Sequence, residues 1–327
     1  MKRYLFLLVF AAAATLLASV TYTLVWLKDV SGCRVPDDPD VFFSACNHPA
    51  FADYEHGAYY LGLQDRAVEN LKRADVVFLG SSRVQFGYST RSTRAFFDRK
   101  HVSYHLLGFG YVEQMKFAQA LVQRHDLAPR VMVINVDPFF QDYASPMGNA
   151  LIEGDWTMRR GYYLKRFAHA ALPVYCRLLT CKPQAQAIYR RTSTGEWIWA
   201  NVFSVPDSGH PLKEPPRFPL TWKQRVDTLE SAVVFARALQ VPPECVVLTA
   251  APNDLLNTAD LAQGIARALG MSSVLPVIPD VVMLDEHHLN LPTAERWSAA
   301  VLGELEPVID RCVSGDPPRR VHPDKPS

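Results

Sequence analysis

A pair of serines after an apolar run is the first feature of this sequence that could carry out chemistry. Residues 80–83 read Gly80-Ser81-Ser82-Arg83 and directly follow the apolar, β-branched run 74–79. A serine on the turn from a buried strand into a helix exposes its hydroxyl beside unpaired backbone N–H groups. We therefore expect Ser82 to act as a nucleophile. The alternative is that these serines only cap a helix N-terminus.

An acidic residue and a histidine lie close together near the end of the chain. Residues 285–290 read Asp285-Glu286-His287-His288-Leu289-Asn290 and follow the apolar run 281–284. A carboxylate three residues before a histidine can orient the imidazole, which can then take the proton of a serine hydroxyl. We predict that His288 is the base and that Asp285 orients it. A solvated polar loop is one alternative. A metal site is another, but no further carboxylate or histidine has ligand-like spacing, so we predict no metal and no cofactor.

The elements around these segments follow a regular alternation. Short apolar runs alternate with helical patterns, which predicts an α/β fold: a three-layer α/β/α domain with a five-stranded parallel sheet. The predicted strands are 74–79, 102–107, 130–136, 245–250 and 281–284, and the predicted helices are 93–99, 113–125, 222–239, 260–269 and 293–308. Ligands of such sheets bind beyond the carboxyl ends of the strands, where both polar segments fall.

The two segments together resemble the SGNH (GDSL-like) hydrolase superfamily. Phe78-Leu79-Gly80-Ser81-Ser82-Arg83 is similar to its first block, with Ser82 at the nucleophile position and Ser81 in place of the usual aspartate. Asp285-x-x-His288-Leu289-Asn290 is similar to its last block. The resemblance covers about residues 74–310, apart from an insertion, and implies the flavodoxin-like sheet of that superfamily with Ser82, His288 and Asp285 as its triad.

The resemblance also implies an oxyanion hole. Its donors would be the Ser82 N–H and a glycine N–H after the second strand, for which we prefer Gly110 to Gly108. The third block normally supplies an asparagine side chain. Here Asn135 falls within the strand and Phe139 lies near the expected place. We therefore expect the side-chain donor of the third block to be missing. Arg83 is a substitute donor or binding residue, or alternatively a surface or salt-bridged residue.

An aromatic, proline-rich insertion at about 139–219 interrupts the alternation. Trp197 and Trp199 alternate as strand neighbours would, so both are expected to face one side. Their rings could stack on sugar rings and bind substrate. The alternative is a hydrophobic cluster that supports a lid.

The N-terminal thirty residues predict a membrane anchor. Lys2 and Arg3 precede the uncharged run 4–27, which is long enough to cross a bilayer. Cleavage as a signal peptide, or lipidation at Cys33, are the alternatives. The positive flank predicts the N-terminus in the cytoplasm and the remainder of the chain outside it. The resemblance to exported SGNH-like proteins implies a bacterial inner membrane with the domain in the periplasm. We expect an anchor at 1–30, a stalk and lead-in at 31–73, the main domain at 74–312 and a disordered tail at 313–327.

The charge limits the kinds of partner that we expect, and the cysteine content limits the compartment. The formal net charge is +1 without a basic stripe, so nucleic acid is not an expected partner. Six cysteines suit an oxidising compartment. Cys33/Cys46 and Cys176/Cys181 are candidate disulfides, whereas Cys245 is either paired or a buried thiol at a strand start.

Anchored, exported SGNH-like proteins with a degenerate third block resemble those that modify envelope polysaccharides, often alongside a membrane-bound O-acyltransferase. This resemblance implies an extracytoplasmic serine O-acyl (acetyl) esterase or transferase acting on an envelope glycan, with such an acyltransferase as partner. A non-catalytic glycan-binding or assembly module is the second hypothesis. A lipase or thioesterase is the third.

Overall fold

The computed structural model describes residues 2–48, 53–111, 113–137, 139–198, 207–213, 222–255 and 258–314. Within these ranges the strands are β1 (Val41–Cys46), β2 (Val76–Ser81), β3 (Tyr104–Phe109), β4 (Val131–Asn135), β5 (Ala187–Arg191), β6 (Trp197–Ile198), β7 (His210–Pro211), β8 (Val246–Thr249), β9 (Ser272–Ser273) and β10 (Val282–Met283). The helices are α1 (Lys2–Val30), α2 (Glu55–Tyr60), α3 (Asp65–Arg73), α4 (Ser82–Tyr88), α5 (Arg91–Lys100), α6 (Met115–His125), α7 (Pro146–Glu153), α8 (Trp156–Leu178), α9 (Trp222–Ala238), α10 (Ala259–Leu269) and α11 (Leu291–Ser314).

The central sheet has five parallel strands in the order β3-β2-β4-β8-β9. This is one of the two common orders of doubly wound sheets. Every residue of β2, β3, β4 and β8 is buried. Burial on both faces explains why these strands are continuous apolar runs rather than alternating ones. The predicted α/β class and five-stranded parallel sheet are confirmed.

The fifth strand differs from the prediction. The run 281–284 was expected to close the sheet, but the edge strand is β9, a half-buried pair of serines. Val282 and Met283 instead pair antiparallel with Pro211 and His210. The prediction failed because a two-residue polar edge strand has no hydrophobic pattern, whereas the apolar run 281–284 has the pattern of a buried strand.

Two groups of helices pack on the sheet. Helices α4 and α5 contact α11, which also touches β4, whereas α6 and α10 both contact α9, and α6 also touches β2. The last helix places the full length of its apolar face in the core, where Trp297 is completely buried. The turn before α11 therefore has a fixed position at the carboxyl edge of the sheet.

The described residues of 31–73, a segment expected as a stalk and lead-in, are folded onto the domain. Strand β1 pairs antiparallel with β5 of the insertion, and β6 completes a three-stranded sheet. Every residue of α2 is buried. Phe42 and Phe43 are the physical reason, because their burial in β1 removes two large aromatic rings from water.

The N-terminal helix α1 belongs to a segment, Arg3–Cys33, that is long and apolar enough to cross a membrane. Its end is tied to the domain by the disulfide Cys33–Cys46. The second expected disulfide, Cys176–Cys181, also forms. The alternative of a free thiol at Cys245 is wrong, because Cys245 is bonded to Cys312 at the end of α11.

Candidate active site

The serine, histidine and aspartate selected from the sequence lie in hydrogen-bond contact. Ser82 Oγ is 2.8 Å from His288 Nε2. His288 Nδ1 is 2.9 Å and 3.0 Å from the two carboxylate oxygens of Asp285. Residues 206 positions apart in the chain thus form a hydrogen-bonded serine–imidazole–carboxylate arrangement, the geometry that acyl-transfer triads require.

The loop before α11 holds Asp285 in place. Asp285 Oδ1 accepts hydrogen bonds from the backbone N–H groups of His287 and His288, at 2.7 Å and 2.9 Å. The His288 carbonyl in turn accepts from Leu284 N at 2.8 Å. This turn closes the loop, so the spacing of three residues directs the carboxylate at the imidazole.

The pKa values suit a neutral base beside a charged acid. Partial burial alone would raise the pKa of Asp285, but the hydrogen bond and charge of His288 and the two backbone N–H groups lower it to about 2. Burial lowers the pKa of His288, and Arg83 acts in the same direction; the opposing effect of Asp285 does not restore the ordinary value. His288 is therefore neutral at pH 7 and able to accept a proton.

The two serines of the turn have different roles. Ser81 is the N-cap of α4, and its side chain accepts a 3.3 Å hydrogen bond from Arg83 N. Ser82 begins the helix and faces His288. Ser81 therefore caps the helix, and Ser82 is the serine that contacts the imidazole.

Close packing fixes where the turn can lie. A Cβ atom on Gly80 would come within 2.7 Å of Val84 Cγ2, and one on Gly108 within 2.6 Å of the Ser81 carbonyl oxygen. Side chains at these positions would push the first turn of α4 away from the sheet. The glycines of β2 and β3 thus seat Ser82 at the carboxyl edge.

Arg83 connects the first turn of α4 to the loop before α11. It is buried and forms a 3.0 Å ion pair with Asp137, which follows β4. It also donates to the carbonyl oxygen of His287 at 3.1 Å, and its Nη2 lies 3.1 Å from His287 Nδ1. Asp137 additionally accepts from Ser81 Oγ. Of the two expectations for Arg83, the structure shows the salt-bridged residue.

Aromatic rings form the wall behind the base. The ring of Phe86 stacks on the imidazole of His288, with centroids 3.9 Å apart, and Trp197 packs edge-on against Phe86. Trp197 is 8 % exposed, and its indole N–H donates to Glu55 at 3.0 Å. Trp197 is therefore a buried residue, whereas we expected an exposed ring that could stack on a sugar. Its partner in that prediction, Trp199, lies outside the described residues.

The expected glycine donors of the oxyanion hole are occupied or embedded in the fold. Gly110 N donates to the buried carboxylate of Glu55 at 3.2 Å, so this N–H is not free as we expected. Gly108 lies inside β3, opposite Gly80. The Ser82 N–H begins α4 and has no partner within the helix, as for the first turn of any helix.

The third-block positions contain no exposed amide donor. Asn135 is buried at the end of β4, and its Oδ1 accepts from Ala251 N at 2.9 Å. Its Nδ2 is buried and has no hydrogen-bond partner within the described ranges. Phe139 is a core residue that packs on Phe235.

Sequence reasoning overlooked three residues of the site: Asp137, Phe86 and Glu55. Asp137 had one usable signal, because it lies two residues beyond the end of a core strand, at the edge of the sheet where Ser82 lies. Phe86 and Glu55 had none, since their roles depend on contacts between distant segments. Among the described residues no group of three or more His, Cys, Asp or Glu side chains is placed to hold a metal ion.

Comparisons with protein-family models, with curated proteins and with solved structures found no match to this chain.

Proposed function

We propose that this chain is a serine-dependent acyl esterase or acyltransferase of the SGNH type. The observation that carries the proposal is the continuous contact from Ser82 Oγ through His288 to the Asp285 carboxylate, at 2.8 Å and 2.9 Å. The turn after the first core strand and the loop before the last helix, which motivate the resemblance, supply its two halves. The strand order of the sheet is compatible with the flavodoxin-like fold of that superfamily.

The chemistry would proceed in two steps. Ser82 Oγ attacks the carbonyl carbon of an acyl ester while its proton passes to His288 Nε2. The tetrahedral intermediate then collapses, the proton moves from His288 to the departing alcohol oxygen, and an acyl-serine remains. In the second step His288 Nε2 takes a proton from water or a sugar hydroxyl, whose oxygen attacks the acyl carbon of the acyl-serine. The bond from that carbon to Ser82 Oγ then breaks, and His288 returns the proton to Ser82 Oγ. Asp285 stabilises the imidazolium in both steps.

The expected substrate is an O-acylated, preferably O-acetylated, glycan of the cell envelope. The resemblance to anchored, exported members supports it, as do the N-terminal candidate span and three disulfides, which suit an oxidising compartment. A periplasmic domain on the bacterial inner membrane, with a membrane-bound O-acyltransferase as partner, belongs to the same proposal.

A fluorophosphonate probe tests the proposal, because it phosphonylates serines activated by a neighbouring base. We expect wild-type protein to be labelled, with the adduct on the peptide that contains Ser82, and Ser82→Ala to be unlabelled. Ser81→Ala is the matched control: it removes the adjacent serine and should still be labelled. Equal labelling of wild type and Ser82→Ala would refute the mechanism.

A non-catalytic glycan-binding or assembly module is the second candidate. The observation in its favour is that the Gly110 N–H is occupied by Glu55, because losing one oxyanion donor costs roughly 10²–10³ in rate. Absence of labelling on folded wild-type protein, together with binding to an acylated glycan, would support this candidate instead.

A further inference from the structure

The outward side of helix α8 is apolar. The exposed residues are Trp156, Tyr163, Phe167, Val174 and Leu178, with exposed fractions of 73 %, 52 %, 52 %, 58 % and 76 %. Their spacings of seven and four residues place them along one line of the helix. We call these five residues the α8 outer face. Large exposed apolar patches on a domain mark surfaces that bind something.

The opposite side of α8 is already packed. Tyr162, Ala168, Leu172 and Tyr175 are buried in the core. The α8 outer face is therefore not the side that attaches the helix to its own domain. Folding leaves it in contact with water, which costs free energy unless another apolar phase covers it.

The charge of α8 indicates which phase that is. The helix contains no acidic residue and five basic ones, namely Arg159, Arg160, Lys165, Arg166 and Arg177. Arg160 and Arg177 are exposed beside the α8 outer face. A helix with aromatic residues on one face and basic residues beside them is typical of binding in the interface of an anionic bilayer.

The position of α8 places a bilayer close by. Helices α1 and α8 contact each other. Just beyond the end of α8, Lys182 forms a 2.8 Å ion pair with Asp29, near the end of α1, and its backbone N–H donates to Ser31 at 2.8 Å. The disulfide Cys176–Cys181 holds this connection to the last turn of α8. The side chains of α1 before this junction are exposed and apolar, as for a helix surrounded by lipid.

We propose that the α8 outer face lies on the surface of the membrane that α1 crosses. Trp156, Tyr163 and Phe167 occupy the interface, and Arg160 and Arg177 bind the phosphate groups of anionic lipids. The domain then has two attachments to the bilayer, a spanning helix and an interfacial helix, which together fix its rotation. The inference depends on the candidate span and is independent of the acyl chemistry proposed for Ser82.

Lipid-quenching measurements on the full chain test this proposal. All six native cysteines are in disulfides, so Phe167→Cys provides a single reactive thiol for an environment-sensitive fluorophore. Glu69→Cys on α3, at a side chain that is 61 % exposed, is the matched control. Both labelled proteins are reconstituted in phosphatidylcholine vesicles with and without phosphatidylglycerol, containing lipids with nitroxide groups near the headgroup.

We expect the label at residue 167 to be blue-shifted and quenched by the nitroxide lipids, more strongly with phosphatidylglycerol, and the label at residue 69 to show neither effect. In Arg160→Glu/Arg177→Glu the quenching at residue 167 should fall, while the protein still floats with the vesicles through α1. Equal quenching at residues 167 and 69, or failure to float, would overturn the proposal. A blue shift that grows with the protein-to-lipid ratio and is not accompanied by quenching from the nitroxide lipids would also overturn it. Such a result would indicate that the label contacts a second copy of the protein.

Discussion

The protonation state of His288 controls whether Ser82 can lose its proton and act as a nucleophile. The imidazole can accept the Ser82 proton only when it is neutral, and the structure gives it a neighbour on each side. Phe86 covers its face, and the Asp285 carboxylate accepts a hydrogen bond from its Nδ1. Burial favours the neutral form of His288, whereas the carboxylate favours the charged form.

The pH dependence of acyl release should show which influence is stronger. Because the pKa of His288 lies below its ordinary value of 6.5, we expect kcat/KM to rise with pH through a midpoint below 6.5 and to be level at neutral pH. Initial rates with p-nitrophenyl acetate, measured across this range, give the midpoint. A midpoint above 6.5 would contradict the environment described for His288.

Replacing the Asp285 carboxylate provides a second test of the proposed triad. We expect Asp285→Asn to lower kcat by about 10²–10⁴, because an amide neither stabilises the imidazolium nor holds the correct tautomer. Asp285 raises the pKa of His288, so its neutralisation should also move the midpoint of the pH profile to lower pH. Glu286→Gln, an exposed carboxylate in the same loop, is the control and should leave both quantities unchanged.

At the scale of elements, the site depends on how α4 is joined to the loop before α11. Glycines in β2 and β3 let α4 approach the sheet, and Arg83 on its first turn bonds to the loop through the His287 carbonyl. Asp137, from the end of β4, neutralises the guanidinium. Three segments that are distant in sequence therefore share one buried ion pair.

Breaking this ion pair should destabilise the fold. We expect Arg83→Gln to lower the free energy of unfolding by about 3–5 kcal/mol, because Asp137 would remain buried without its cation. Urea-induced unfolding of the detergent-solubilised chain measures the change. Adding Asp137→Asn should recover part of the loss. Arg73→Gln removes an exposed ion pair with Glu69 and should have no measurable effect. Equal effects of the two arginine substitutions would contradict the structural role of Arg83.

At the scale of the whole molecule, covalent links close the domain. The disulfide Cys245–Cys312 joins the start of β8 to the end of α11 across 67 residues of sequence. It encloses the loop that contains Asp285 and His288. The bond between Cys176 and Cys181 closes a segment of only five residues.

The two bonds should differ in their effect on stability, because cross-linking a longer loop removes more entropy from the unfolded chain. We expect replacing Cys245 and Cys312 by alanine to lower the free energy of unfolding by about 4 kcal/mol, against about 2 kcal/mol for Cys176 and Cys181. Urea-induced unfolding of the two double variants, compared with wild type, measures this. A larger loss from the shorter loop would contradict loop entropy as the main source of stabilisation.

Features that depend on local sequence pattern could be predicted from the sequence. Core strands are buried on both faces and therefore appear as continuous apolar runs, which located β2, β3, β4 and β8. The turn with Ser82 follows such a run, and the loop with Asp285 and His288 follows the apolar run 281–284, which has the same pattern. The sequence therefore predicts both segments at the carboxyl edge of the sheet, although the run 281–284 pairs with β7 outside the parallel sheet. The span in α1 and two of the three disulfides were also predictable, from apolar length and from close spacing of cysteines.

Features that depend on contacts between distant segments could not be predicted and were revealed by the tertiary structure. It selected two serines as the edge strand, assigned the Gly110 N–H to Glu55, and buried Trp197 against Phe86. It also folded residues 41–46 onto the insertion and left one side of α8 exposed. The reason is physical: hydrophobic periodicity records whether a side chain is buried, but it does not record which partner buries it.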